Sequence, residues 1–204
     1  MATGIKSRLG VWCVVEQLSS RRDPSGLDMR RTCGDLGMIV PDAYDVASKL
    51  EGAAIPSVRL GSGEAAPVDL AQYASLYSLV IYSFPGIAAS RDDGPDRQMH
   101  NAFSHCCAEL DAKGYRIFGV SGQFEGAQRE LIGIARLRHR LLSDPALRFA
   151  EALTLPTIEI KGEECYERLI LITSGGVVRK AFFPISRPER SAHQVLTWML
   201  LHGI

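Results

Sequence analysis

Apolar and polar positions divide this chain into a loosely patterned first quarter and a regular remainder. "SLVIYSF" (78–84), "YRIFGVS" (115–121) and "RLILITS" (168–174) are apolar runs of strand length without polar alternation, the pattern of central strands covered on both faces. "RLILITS" and "VVRKAFFPI" (177–185) are joined by Gly175-Gly176, a two-residue hairpin signal. Across 96–112 Met99, Phe103, Cys106 and Leu110 recur on one stripe, which predicts a helix. Further helices are predicted for "FEGAQRELIGIARLRHR" (124–140), "SDPALRFAEALTL" (143–155) and "PERSAHQVLTWMLLHG" (188–203). In the second of these, Ser143 or Asp144 is placed to cap and Pro145 to open the helix. "IPSVRL" and "APVDLAQYA" flank "GSGE" as a short hairpin would.

Residues 1–52 lack this regularity. "SSRRDPSGLDMRRTCGDLG" suits an irregular segment, "VWCVVEQL" a strand or helical turn, and "PDAYDVASKLEG" a helix between Pro41 and Gly52. The expected division is an N-terminal extension over 1–52 and one α/β domain over 53–204. Alternating strands and helices, then a hairpin and a last helix, predict a thioredoxin-like mixed sheet flanked by helices.

Composition narrows the partners. Lys+Arg and Asp+Glu both number 23, so no net charge draws the chain to nucleic acid or an anionic membrane. No apolar run approaches the roughly 20 residues that span a bilayer, and no signal-peptide pattern is evident, so a cytoplasmic protein is expected. The five cysteines (13, 33, 106, 107 and 165) are an odd count without disulfide or zinc spacing. Neither a Walker loop nor a Gly-x-Gly-x-x-Gly fingerprint occurs. No metal and no cofactor is expected.

In order along the chain, "IPSVRL…VDLAQYASLYSLVIYSFPG", "GVSGQ", "LLSDPALRFAEAL" and "RLILITSGG" resemble the peroxiredoxins of the bacterial redoxin branch, over about 53–204. The resemblance implies a peroxiredoxin-type fold, with a cysteine in the first turn of the helix after the first long strand. There helix N–H groups and the dipole stabilise a thiolate. It also implies a facing arginine, which matches Arg168. The cysteine position falls near Asp96, the preceding threonine near Asp93, and this branch's frequent second cysteine near Asn101. No cysteine lies between 34 and 105, so the chain is read as a degenerate member without the peroxidatic cysteine. A carboxylate cannot form a sulfenic acid, so Asp96 does not replace it chemically. Asp96 is expected to be the helix N-cap or, alternatively, a base or ionic partner of Arg168.

Helical spacing puts Asp96, His100, Phe103 and Cys107 on one side. His100 and Cys107 are about 10 Å apart by helical rise, too far to pair directly. The candidate catalytic residues are Cys107, Cys106, Arg168, Asp96 and His100. Cys165 is a third thiol candidate, its facing left open. His105, His139, His193 and His202 are expected at the surface.

Three functions remain in play. The first is a repurposed, cofactor-free enzyme, with cis–trans isomerisation of a conjugated acyl chain by reversible thiol addition as its expected reaction. Its partner would be a small-molecule or carrier-protein-bound acyl substrate in bacterial biosynthesis. The second is a thiol-dependent peroxidase or disulfide reductase using displaced cysteines. The third is a non-catalytic binding or scaffold protein. Homodimerisation is expected, with Trp198, Met199 and Leu200 as an apolar face.

Overall fold

A computed structural model describes residues 5–7, 12–13, 43–63, 66–86 and 94–203. Its centre is a five-stranded sheet in the order β11-β10-β5-β6-β7. The expected central runs are β5 (Ser78–Ser83), β6 (Tyr115–Ser121) and β10 (Leu169–Ser174), each almost wholly buried. β5, β6 and β7 (Arg140–Ser143) are parallel, and β10 is antiparallel to both β5 and β11 (Val177–Phe182). Gly175 and Gly176 have φ of 62° and 74°, the left-handed values that a tight hairpin demands and that glycine adopts freely.

One face of the sheet carries α3 (Pro95–Ala112), α4 (Glu125–Ala135) and α6 (Ser191–Leu201) over Val80, Tyr82, Ile170 and Ile172. The predicted α3 stripe is confirmed: Met99, Phe103 and Leu110 are fully buried and Cys106 packs against the same core. The other face packs α1 (Ala43–Leu50), α2 (Leu70–Leu76) and α5 (Arg148–Leu153) over Leu79, Ile81, Leu169 and Leu171. α1 comes from the stretch read as an extension, yet Ala47 and Leu50 belong to this core and Gly52 N–H donates to Val178 O at 2.8 Å. β1 (Ile5–Ser7) and β2 (Trp12–Cys13) form a second sheet with β8 (Thr157–Ile160) and β9 (Glu163–Tyr166), in the order β2-β1-β8-β9. "SSRRDPSGLDMRRTCGDLG", Cys33 and Asp93 lie outside the described residues.

Several boundaries differ from expectation. The "GSGE" hairpin is confirmed as β3 (Arg59–Leu60) and β4 (Val68–Asp69), but "LAQYA" belongs to α2, which Asp69 caps by accepting from Gln72 N–H at 3.0 Å. The helix expected over 124–140 stops at Ala135, because Arg136 turns left-handed (φ 49°) and the chain re-enters the sheet as β7. The next helix begins at Arg148, three residues beyond Pro145. Asp144 nonetheless acts as its cap, accepting from Arg148 N–H at 3.1 Å and Phe149 N–H at 2.8 Å. The β8–β9 hairpin, turning through Lys161-Gly162 (φ 55° and 83°), was not predicted. In α6 Met199 is buried while Leu200 and Leu201 are about three-quarters exposed, so core packing accounts for part of the apolar face only.

Asp144 ties three elements together. Besides the two helix N–H groups, its Oδ2 accepts from the Tyr166 hydroxyl at 2.6 Å, clamping β9 to the start of α5. Asp144→Ala would strand two buried donors, the Phe149 N–H and the Tyr166 hydroxyl, each costing about 1–3 kcal/mol, and the part-buried Arg148 N–H. The expected outcome is a loss of roughly 3 kcal/mol or more in urea denaturation, with the slope unchanged.

Candidate functional site

The site forms where β5 ends. Leu169 pairs with Ser83 in the antiparallel β10–β5 register, and the Ser83 hydroxyl donates to Glu167 O at 2.6 Å. Together these hold Arg168, the residue before β10, beside the loop leaving β5. α3 starts from the same loop. Its N-cap is Gly94, in extended backbone without a side-chain cap bond, and Pro95 opens the helix. The expectation that Asp96 would be the N-cap is thereby corrected: Asp96 is the second helical residue, and its carboxylate is turned to Arg168.

The pairing is specific. Arg168 Nε donates to Asp96 Oδ1 at 2.8 Å, and Nη2 lies 2.6 Å from the same oxygen. Asp96 Oδ2 accepts from Gly86 N–H at 3.3 Å. The two side chains are 26% and 28% exposed, so the pair is largely withdrawn from water but open on one side. An anion in the first helical turn also faces the positive end of the helix dipole. The alternative role read for Asp96, an ionic partner of Arg168, is the one this geometry has.

That open side is a cavity of about 260 Å³. Asp96, Arg97, Glu167 and Arg168 supply polar groups, while Pro85, Ile158, Ile160, Pro184 and Ile185 supply apolar wall. Burial raises the Glu167 pKa, against the opposing pull of Arg168. The isoleucines come from the unpredicted β8–β9 hairpin. Strict apolar alternation in "TIEI" before Lys161-Gly162 was the signal for it.

The structure does not bring the named thiols to this cavity. Cys106 and Cys107 are ten and eleven residues beyond Asp96, about 15–17 Å along the helix. Cys107 Sγ donates to Arg138 O at 3.4 Å, and Cys106 packs on the core of the α3 face. Placing either in the pocket is corrected on these grounds. Burial raises both pKa values, with Glu109 adding to the effect at Cys106 and Asp111 at Cys107. Cys165 is different. It lies directly opposite Ile158 in the β8–β9 register, and opposite residues share a face, so it looks to the side on which Ile158 and Ile160 line the cavity. Its thiol pKa is raised by burial and then by the charges of Glu163, Asp96 and Glu164.

His100 was read as a pocket-facing residue, and it is instead 1% exposed beneath the site. Its Nδ1 lies 2.7 Å from the Tyr82 hydroxyl, which lies 2.6 Å from His139 Nε2. His139, expected at the surface, is 7% exposed, whereas His105, His193 and His202 are exposed as expected. Gly119 makes this triad possible. On β6 it pairs with Tyr82 on one side and Leu141 on the other, and a Cβ there would sit 2.7 Å from the Tyr82 hydroxyl oxygen. Tyr82 thus reaches across β6 toward the start of β7 over a position that has no side chain. Phe103 stacks on the Tyr82 ring at 4.6 Å, and Phe84 meets His100 edge-on at 4.5 Å.

One hydroxyl proton serves two imidazoles, so Tyr82 donates to one and accepts from the other. Either arrangement leaves His100 Nε2 and His139 Nδ1 buried without a partner in the protein. Both imidazoles are held neutral. Burial pushes His139 down to about 4. Burial, helped by the charges of His139, Arg168 and Arg97, pushes His100 down to about 3. Among the described residues no group of three His, Cys, Asp or Glu side chains is placed to hold a metal ion.

The triad makes stability pH-dependent with a defined sign. Each folded-state pKa is depressed below the ordinary 6.5, so the unfolded chain binds the extra protons. The contribution is present above pH 6.5 and is lost as pH falls through about 4 and then about 3. Chemical denaturation should show this decline in the native chain and a flatter profile in H100N/H139N, which keeps hydrogen-bonding groups but cannot titrate. Tyr82→Phe, leaving two more ring nitrogens unpaired, should cost about 2–4 kcal/mol at pH 7.

No protein-family model matches the chain, and no curated protein matches it. Solved structures do. The peroxidoxin BcpB of Mycobacterium tuberculosis superposes with a TM-score of 0.64 at 16% identity, over 74% of this chain and 96% of its own. The bacterioferritin comigratory protein of Xanthomonas campestris gives a TM-score of 0.64 at 21% identity, over 76% and 98%. Reduced Prx3 of Vibrio vulnificus, solved in complex with hydrogen peroxide, gives a TM-score of 0.64 at 19% identity, over 75% and 97%. Sheet order, helix placement and these superpositions lead to one conclusion: the chain has the thioredoxin-like fold of the peroxiredoxins.

Proposed function

We propose that this chain is a peroxiredoxin-fold enzyme repurposed from peroxide reduction to cofactor-free chemistry on an apolar acyl small molecule. The observation that carries the reading is the Asp96–Arg168 ion pair in the first turn of α3. In the peroxiredoxins that the sequence resembles, this turn and this arginine stabilise a thiolate. Here the arginine is engaged by a carboxylate, which peroxide does not oxidise. The neighbouring wall of proline and isoleucine suits a hydrocarbon chain better than a small polar oxidant. Thiol-dependent peroxidase chemistry has less support, because among the described residues no thiol stands in the first turn of α3 against Arg168, where a thiolate would be stabilised. A scaffold role has less support than a ligand role, given the open cavity.

The reaction within this reading is cis–trans isomerisation of a conjugated acyl chain. A thiolate adds to the β-carbon, and the former double bond rotates as a single bond in the resulting enolate. Elimination then restores the alkene and the thiolate, with no net oxidation. The thiol proton moves to a site carboxylate at the start and returns at the end. The sulfur in this reading is Cys165 rather than Cys106 or Cys107, since its strand partner Ile158 lines the cavity. A cytoplasmic homodimer completes the reading, with Leu200 and Leu201 as apolar residues free for a second copy.

Two experiments test it. Asp96→Cys restores a thiol against Arg168, and stopped-flow mixing with hydrogen peroxide should oxidise that thiol at least a hundredfold faster than any in the native chain. Native thiols reacting as fast would sink the repurposing claim. With a Z-configured dienoyl thioester followed by chromatography, Cys165→Ser should reduce interconversion at least a hundredfold while C106S and C107S retain it. Full turnover in Cys165→Ser would eliminate the thiol mechanism.

A further inference from the structure

The pocket does not end at Ile185. Pro184 walls both that cavity and a second one of about 300 Å³, whose other lining residues are Ser186, Arg187, Arg190, His193 and Gln194. Ile185 and Arg187 are two residues apart, at most about 7 Å of chain. One space is therefore apolar beside an ion pair, and the adjoining one is cationic.

The geometry of the cationic part follows from a single turn. Pro188–Arg190 is a short 3₁₀ turn leading into α6, in which Arg190 N–H donates to Arg187 O at 3.0 Å. Arg187, at the start of this turn, and Arg190, at its end, both line the cavity. Buried Pro188 and the Ser191 hydroxyl, donating to Pro188 O at 2.7 Å, hold the turn down. His193 extends the same edge.

Their charges stand uncompensated. Several other cations are used: Arg168 pairs with Asp96, Lys180 with Glu51, Lys49 with Asp45, and Arg129 and Arg140 bond backbone carbonyls. Among the described residues neither the Arg187 nor the Arg190 guanidinium has an ion pair or hydrogen bond. Glu189 is the one acidic residue between 184 and 194, and it does not line the cavity. Two guanidinium forks with imidazole, hydroxyl and amide donors nearby match the many acceptor oxygens of a phosphate. A chain with no net charge is a poor match for nucleic acid as the source of that phosphate.

We propose that the pocket's ligand is an acyl compound whose far end carries a phosphate ester, with the acyl chain against Ile158 and Ile160 and the phosphate between Arg187 and Arg190. This rests on the reading of the pocket as an acyl site and adds the class of molecule that delivers the acyl group. Phosphorylated thioester carriers, free or attached to a protein, share this chemistry.

Calorimetry on the full chain separates the possibilities, using octanoyl-coenzyme A, octanoyl-pantetheine (the same acyl thioester without phosphate), coenzyme A without an acyl group, and inorganic phosphate. Octanoyl-coenzyme A should bind at least tenfold tighter than octanoyl-pantetheine in low salt, and raised salt should shrink the gap. The double variant R187Q/R190Q, altered at two exposed positions, should lose that advantage while binding octanoyl-pantetheine as the native chain does. Equal affinity for the two thioesters, or an advantage that survives R187Q/R190Q, overturns the phosphate site and leaves the acyl reading intact. Coenzyme A or inorganic phosphate binding as tightly as octanoyl-coenzyme A overturns the link between the two cavities. Failure of every thioester to bind overturns the acyl reading and the inference together. A carrier-protein source is distinguished by an octanoylated acyl carrier protein binding tighter than octanoyl-coenzyme A, again dependent on Arg187 and Arg190.

Discussion

The site depends on the antiparallel register between β5 and β10. Leu169 opposite Ser83 sets the residue before β10 beside the chain leaving β5. A slip of one residue would turn every side chain of β10 to the other face. That would be costly, because Leu169 and Leu171 fill one core while Ile170 and Ile172 fill the other. Packing on both faces of the sheet therefore holds the Arg168 backbone in place. α3 begins at Pro95 and turns Asp96 in its first turn to that arginine.

Given that placement, the ion pair decides what the site can do. In a first helical turn the backbone favours an anion whatever its chemistry. A thiolate there is a nucleophile that can give up electrons, and a carboxylate is only a charge. Asp96 keeps Arg168 occupied with a fixed carboxylate charge. The apolar wall from β8 and the segment after β11 then determines what fits beside it.

Beneath the site lies a second commitment of the fold. Tyr82, His100 and His139 come from a strand, a helix and the turn before another strand, and the absence of a side chain at Gly119 lets them meet. Two imidazoles and one hydroxyl cannot all be satisfied by one another there, and Phe84 and Phe103 pack against the cluster. Such a cluster stays neutral because charging either ring would bury a cation, and at His100 that cation would also face Arg168 and Arg97.

By itself the sequence determined the parts that rest on local periodicity. Fully apolar runs marked β5, β6 and β10 as central strands, Gly175-Gly176 marked the last hairpin, and the Met99–Leu110 stripe marked α3. The resemblance to the peroxiredoxins, rather than any spacing, set Arg168 against residue 96. What it did not determine were contacts among residues distant in the chain. A histidine reads as polar in any window, so the burial of His100 and His139 became visible only when β5, β6 and β7 lay side by side over Gly119. Whether Asp96 capped its own helix or turned to Arg168 depended on which donor came nearer, and tertiary packing supplied the guanidinium. Helical spacing put Cys107 on the side of Asp96 but said nothing about how far along the axis the cavity extends. The cationic groove likewise needed the fold, since only the bend at Pro184 sets Arg187 and Arg190 beside an apolar pocket.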